Sequence, residues 1–263
     1  MSDLDAHLAL TTIGPDQLRA EVPDGWQQGR GAFGGLVIGL LVRAAATVAA
    51  DPTRPLRSLS AELCGPTLPG RADIFVDTLR AGTGVTTLAV KLLQAGEVQA
   101  YAVAVHARTR DAGLQWTELQ PPSFAPPHGL PLGTPDEAPV FARHCEFRPV
   151  HAPLFVGGDE ARAEGWFRFK RPPKVRDAAY LAMLCDGWWP AAFSRLTAPR
   201  PTATLAYTFQ PLADVSQLDP EQPVYHRARA VAMRAGYSVE YREIWSPAGE
   251  LLALNQQTFA VIR

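Results

Sequence analysis

Asp186 is the residue whose neighbours best equip it for acid–base work. It follows Met183-Leu184-Cys185 and precedes Trp188-Trp189. A carboxylate on so apolar a helix loses its water, which raises its proton affinity and suits it to act as a general base. The plainer alternative is a helix-terminal cap beside Gly187. A second candidate is Phe33-Gly34-Gly35, which opens a helix rich in Ala, Leu and Val. The first amides of a helix have no partner within it and lie at its positive dipole end, so they could hold a developing oxyanion. Glycine there removes the Cβ and lets a reacting carbonyl come close. On this reading the first half of the chain supplies the oxyanion site and the second half the base.

Other chemistries lack their residues. His106, His128, His144, His151 and His226 are scattered without an HxxxH pair. Cys64, Cys145 and Cys185 form no CxxC, so neither residue type predicts a metal site. An odd number of cysteines fits buried thiols in a reducing compartment. The loop from Gly31 to Gly35 has no lysine of the GxxxxGK[ST] kind, and the chain has no GxSxG elbow. With 25 basic and 26 acidic residues the formal net charge is -1, which leaves no general basic footprint for nucleic acid. The start, MSDLDAHLAL, is acidic and lacks the pattern of a signal peptide. The longest apolar stretch, residues 33–50, is broken by Gly34, Gly35, Gly39 and Arg43 and reads as a buried helix, not a membrane span. A cytoplasmic location is the expectation.

These residues need a scaffold, and the chain of 263 residues repeats one. Leu79-Arg80-Ala81-Gly82 returns as Met233-Arg234-Ala235-Gly236, and Ala95-Gly96 returns as Ala248-Gly249 at the same interval to within one residue. Conserved spacing with weak identity indicates one fold used twice. Alternation and turn residues predict, in the first half, a strand at 18–22, a helix at 36–50, and strands at 56–64, 71–80, 86–94 and 98–108. Seven prolines between 120 and 139 predict an extended linker. The second half predicts strands at 142–149 and 163–170, a helix at 177–196 that Pro190 kinks or restarts, and strands at 202–209, 223–234, 237–245 and 251–262. Each half is then an antiparallel sheet covering one long helix. The expected class is α+β, a double hotdog: an N-terminal unit over 1–119, a linker over 120–140 and a C-terminal unit over 141–263.

The chain resembles the type II acyl-CoA thioesterases and the wider double-hotdog thioesterase-like group. In the first half the likeness rests on Phe33-Gly34-Gly35, on residues 59–70 with Pro66 and Gly70, and on Val76-Asp77-Thr78-Leu79-Arg80-Ala81-Gly82. In the second it rests on Cys185-Asp186-Gly187 with Pro190, on Pro201-Thr202, and on residues 249–257. The resemblance implies hydrolysis of an acyl-CoA to acid and CoA by a water held between an Asp, a Thr or Ser and a Gln. Those roles fall on Asp186, Thr202 and Gln257. Thr204 shares a strand face with Thr202, and Gln256 adjoins Gln257, so both choices stay open. Read alone, the threonine is an ordinary strand residue and the glutamines are solvent-facing polars. Phe33, Gly34 and Gly35 would border the reacting carbonyl. Trp188 and Trp189 would line an acyl tunnel, or else belong to the core. Arg30, by its place in the glycine loop, is a candidate for the CoA phosphates. No cofactor or metal is implied, CoA being part of the substrate, and a homo-oligomer is expected. The rival readings are a hydratase or dehydratase on the same fold and a non-catalytic acyl-CoA-binding protein.

Overall fold

A computed structural model describes residues 3–134 and 138–262. The first half runs α1 (Asp3–His7), β1 (Thr11–Gly14), β2 (Gln17–Val22), a small hairpin of β3 (Gln27–Gln28) and β4 (Gly31–Ala32), then α2 (Gly34–Ala49). It continues with β5 (Leu56–Leu63), β6 (Gly70–Ala81), β7 (Val85–Gln94) and β8 (Glu97–Ala107). The second half runs β9 (Cys145–His151), β10 (Arg162–Phe169), α3 (Ala178–Asp186), β11 (Thr202–Pro211), β12 (Val224–Arg234), β13 (Tyr237–Trp245) and β14 (Leu251–Val261).

Local chemistry accounts for these elements. In β8 the residues Ala100, Ala102, Ala104 and His106 are buried while their neighbours are not, the two-residue period of a strand with one covered face. Two-residue turns at Ala95-Gly96 and Ala235-Gly236 place both residues at positive φ, the geometry that matches strand twist in tight hairpins. Helix α2 buries Gly34 through Val42 without a gap, so it lies inside the molecule and not on its surface.

Apart from the β3–β4 hairpin, the strands form one antiparallel sheet of 12, in the order β1-β2-β6-β7-β8-β5-β11-β14-β13-β12-β10-β9. Read outward from the centre, each strand of one half has a counterpart at the same rank in the other. The halves join edge to edge, with Leu59 opposite Phe209 and Glu62 opposite Ala206. The sheet therefore closes over both helices, the double hotdog expected from the pattern. The helices pack on each other at Gly39, where a Cβ would lie 3.2 Å from Met183 Cγ and 3.4 Å from the Ala179 carbonyl.

Four details differ from the sequence-based expectations. Helix α3 stops at Asp186 instead of continuing to 196; Pro190 cannot donate to a helix, and a short 3₁₀ turn, Ala191–Arg195, follows it. The segment expected as a strand from 142 is first a 3₁₀ turn, Val140–His144, because Phe141 turns in to stack on Phe33. The N-terminal α1 and β1 and the β3–β4 hairpin were not anticipated. Finally, irregular chain begins after Ala107 and not at 120. It is anchored, since Phe124 and Leu119 pack on Trp166, Tyr225, Trp245 and Leu251, and Trp166 Nε1 donates to the Ala125 carbonyl at 2.7 Å.

Candidate active site

Helix α3 is nine residues long and is buried from Ala179 to its end. Its start is capped by Asp177, whose side chain accepts from the amides of Ala179 and Tyr180. Its last residue is Asp186, 6 % exposed. A carboxylate at a buried helix C-terminus is doubly disfavoured, by lost water and by the dipole. Burial indeed pushes its carboxyl above the ordinary range; nearby Arg242, the Gln257 side chain and the Gly35 amide pull the other way.

The Gly35 amide comes from the first turn of α2, so the unpaired end of one helix meets the acid at the end of the other. The glycines are what allow this. A Cβ on Gly34 would stand 2.8 Å from Asp186 Oδ2. One on Gly35 would stand 2.4 Å from Phe33 Cζ and 3.0 Å from Asp186 Cβ. The sequence reading gave this missing Cβ to an approaching substrate carbonyl; the structure fills the space with Asp186 and the Phe33 ring. Phe33 itself is buried and stacked on Phe141 at 4.1 Å.

Gln257 is fully buried on β14, and its Nε2 donates to Asp186 Oδ1 at 2.9 Å and to Asn255 Oδ1 at 2.9 Å. Gln256 lies on the opposite, partly exposed face, as strand alternation requires. Gln257 Oε1 accepts from Thr204 Oγ1 at 3.3 Å. The threonine that reaches the cluster is therefore Thr204. Thr202 opens β11 opposite Val261, two residues and roughly 6.6 Å along the strand from Thr204. An irregularity between Thr204 and Ala206 shifts the register and puts Thr204 on the same side as buried Tyr207.

Behind Asp186 lies a buried charged layer that the sequence reading missed. Arg242, 1 % exposed, donates through Nη1 to the Cys185 carbonyl at 2.9 Å and stands 3.8 Å from Asp186 Oδ1. Its Nε donates to Glu240 Oε1 at 2.7 Å, and Glu240 Oε2 accepts the Ala191 amide at 2.6 Å. His226 Nε2 stands 3.2 Å from the same Cys185 carbonyl. A carbonyl only accepts, so that nitrogen carries the proton, and burial keeps the ring neutral. Comparing the halves would have exposed this layer. Strand β7 buries Leu88, Val90 and Leu92, whereas its counterpart β13 buries Glu240 and Arg242.

Trp188 is buried with the tip of its ring against Gly165, and it packs on Phe147 and His226. Trp189 is half-buried and packs on Trp188 and Phe147. Arg30 is exposed on the β3–β4 turn. Among the described residues, no three His, Cys, Asp or Glu side chains converge as metal ligands.

Family profiles cover nearly all of this architecture. An acyl-CoA thioesterase N-terminal domain matches residues 22–108, and an acyl-CoA thioesterase C-terminal domain matches 118–261. The chain belongs to the acyl-CoA thioesterase family. As a thioesterase it is a thioester hydrolase, and solved structures agree on its fold. A conserved hot dog protein of unknown function from Alicyclobacillus acidocaldarius is 25% identical, covers 100% of this chain and 99% of its own, and has a TM-score of 0.88. An acyl-CoA thioesterase II from Mycobacterium marinum is 19% identical over 98% of this chain and 97% of its own, with a TM-score of 0.78. The tesB protein of Mycobacterium avium subspecies paratuberculosis is 16% identical over 99% and 98%, with a TM-score of 0.81. No curated protein matched the chain as a relative. No helix of this thioesterase, among the described residues, is long and apolar enough to cross a membrane.

Proposed function

We propose that the protein hydrolyses acyl-CoA thioesters to the free acid and CoA, with Asp186 as general base. The observation that carries this reading is the convergence of Asp186 Oδ1, Gln257 and Thr204 at the first turn of α2. Asp186 takes a proton from a water hydrogen-bonded to Thr204 and Gln257, and the water oxygen bonds to the thioester carbon. Negative charge moves to the carbonyl oxygen. The Gly35 amide is engaged by Asp186, so Gly34, at the same positive helix end, is the donor for that oxyanion. The tetrahedral intermediate then breaks its C–S bond, and Asp186 returns the proton to the departing thiolate.

The environment suits a base that must ionise and still hold a proton. Burial raises proton affinity, while Arg242 and two hydrogen-bond donors keep the carboxylate attainable. Thr204 is the only half-buried member of the trio, and it marks the side from which substrate arrives. Arg30, exposed and four residues before α2 in sequence, is the candidate to meet a CoA phosphate. A dehydratase reading would want a histidine on Asp186, but His226 is spent on the Cys185 carbonyl.

The test is release of CoA from a panel of acyl-CoAs, followed with a thiol reagent. Asp186→Asn should lower turnover by roughly 10² to 10⁴-fold, the usual worth of a positioned base. Undiminished turnover in that variant would remove Asp186 from the mechanism.

A further inference from the structure

Two buried carboxylates, Asp186 and Glu240, share one buried guanidinium, Arg242. Glu240 and Arg242 stand two residues apart on β13 and so face the same way, toward the end of α3. The cation is shared unequally. Glu240 Oε1 accepts Arg242 Nε at 2.7 Å, and its Oε2 accepts the Ala191 amide at 2.6 Å. Asp186 Oδ1 has only a long approach, 3.8 Å from Arg242 Nη1, because that nitrogen donates to the Cys185 carbonyl at 2.9 Å. With both acids ionised the three groups carry one surplus negative charge; with Asp186 protonated they carry none. A surplus charge away from water is costly, so the acid with the poorer hold on the cation takes up the proton.

Building the fold does not require this pair. The counterpart strand β7 buries Leu88, Val90 and Leu92 instead, and well-packed apolar side chains often serve a core as well as a buried ion pair does. The pair brackets the segment that carries the acid. Arg242 holds the carbonyl before Asp186, and Glu240 holds the Ala191 amide beyond Trp188, Trp189 and Pro190.

The other titratable groups facing this end of α3 stay neutral. From β12, His226 donates Nε2–H to the Cys185 carbonyl, and burial keeps the ring uncharged. From β11, the Tyr207 hydroxyl donates to the Ala182 carbonyl at 2.8 Å, and burial holds its proton in place, as it does for the Cys185 thiol. Helix α2 presents the Gly35 amide, and β14 presents Gln257 and Asn255, none of which titrates. The α2 cation Arg43 pairs with Asp177 at the opposite end of α3. Tyr237, Tyr241 and Glu243 occupy the alternate positions of β13, on its outer face. Burial raises the Asp186 carboxyl most; Arg242 draws it back, and Glu240 adds to the rise.

We propose that Glu240 and Arg242 are positioning residues that set the basicity of Asp186: Arg242 favours the carboxylate, and Glu240 withholds enough of that cation to leave the carboxylate able to take a proton. This rests on Asp186 being the general base. Without the charge of Glu240, Arg242 would be free to pair with Asp186 outright and leave a weak base. Without Arg242, Asp186 would hold its proton to higher pH.

The acid limb of kcat/KM for acyl-CoA hydrolysis reads both effects. Arg242→Met should move it up by about one pH unit or more, the usual reach of a charge so near. Glu240→Gln should move it down. A pair that merely braces the fold would lower rates or stability without moving the limb in opposite directions, so limbs that stay put or move the same way would overturn the proposal. Should either variant fail to fold, carbon-13 NMR of the unaltered protein with labelled Asp and Glu carboxyls decides. Glu240 must lose its proton at lower pH than Asp186, and the reverse order overturns the proposal. Asp186→Asn keeps the two claims apart. Full turnover in that variant would mean that Asp186 is not the base, and the order of the two carboxyl titrations would still decide how Glu240 and Arg242 act on it.

Discussion

Asp186 bears two consequences of one burial. Its proton affinity is higher in the folded protein than in the unfolded chain, so folding is most favoured where this group is protonated. The contribution is complete below the ordinary Asp pKa, about 3.9, and is lost as pH rises through the raised folded value. At pH 7 the ionised side chain is therefore a burden on stability. Asp186→Asn should raise the thermal midpoint at pH 7, by about 2–4 °C per kcal/mol relieved, while the gain shrinks toward pH 4. The same shift places the acid limb of kcat/KM above the ordinary Asp range. A midpoint that falls at pH 7, or an acid limb at the model-peptide value, would contradict the described surroundings. Thr204 and Thr202 give a sharper contrast. Thr204→Val should cut kcat roughly tenfold by removing the hydroxyl that meets Gln257, and Thr202→Val should leave kcat within about twofold. Steady-state kinetics on the pair tells them apart. Asp186 stood out because its neighbours are apolar, whereas Gln257 was named only through the family resemblance, with Gln256 left open; the buried face of β14 carries Gln257. Thr204 was ambiguous because it shares a strand face with Thr202, and the register shift after it that turns this face toward Gln257 leaves no mark in alternation. Arg242 and Glu240 were passed over because charged residues in a strand are read as solvent-facing, and the contacts that bury them, with the Cys185 carbonyl and the Ala191 amide, are tertiary.

Helix α2 matters for where it begins more than for its length. Its opening turn must pass within contact distance of a carboxylate and beneath the Phe33 ring. Gly35→Ala should cost roughly 1–3 kcal/mol through overpacking and displace Asp186, so that thermal stability and turnover fall together. An alanine tolerated at Gly35 without loss of either would refute the close approach. The limits of the long strands were legible because hairpin turns carry glycine at positive φ, as at Gly96, Gly236 and Gly249. The end of α3 was less so. Apolar residues continue through Trp188-Trp189 at a spacing compatible with a helix, and only Pro190 and the diversion of the Ala191 amide to Glu240 end it. The short strand β1 escaped notice because all but one of its residues are exposed, which erases the alternating signal.

Across the whole molecule, duplication was visible from two Ala-Gly turns, and it correctly implied a pseudo-two-fold sheet. What spacing could not convey was which faces meet. The pairing of β5 with β11 makes the two sheets one, and the contact of α2 with α3 at Gly39 makes the two cores one. The irregular stretch between the halves carries Leu114 and Trp116 on the outside, 70 % and 72 % exposed. Limited proteolysis should cut there first, before any strand, and mass spectrometry of the fragments reads the site. Cleavage inside β5 or β11 at the earliest time point would be the contrary result.

The β5–β11 seam also says what such a cut would do. Neither fragment could cover its own inner strand, so each would offer a row of unpaired backbone groups that only the other fits. The nicked enzyme should elute as a single particle, and separately expressed halves should stay insoluble or inert until mixed. The covalent tether would then serve to supply the two pieces in equal number and close at hand, while backbone pairing at the seam keeps them together.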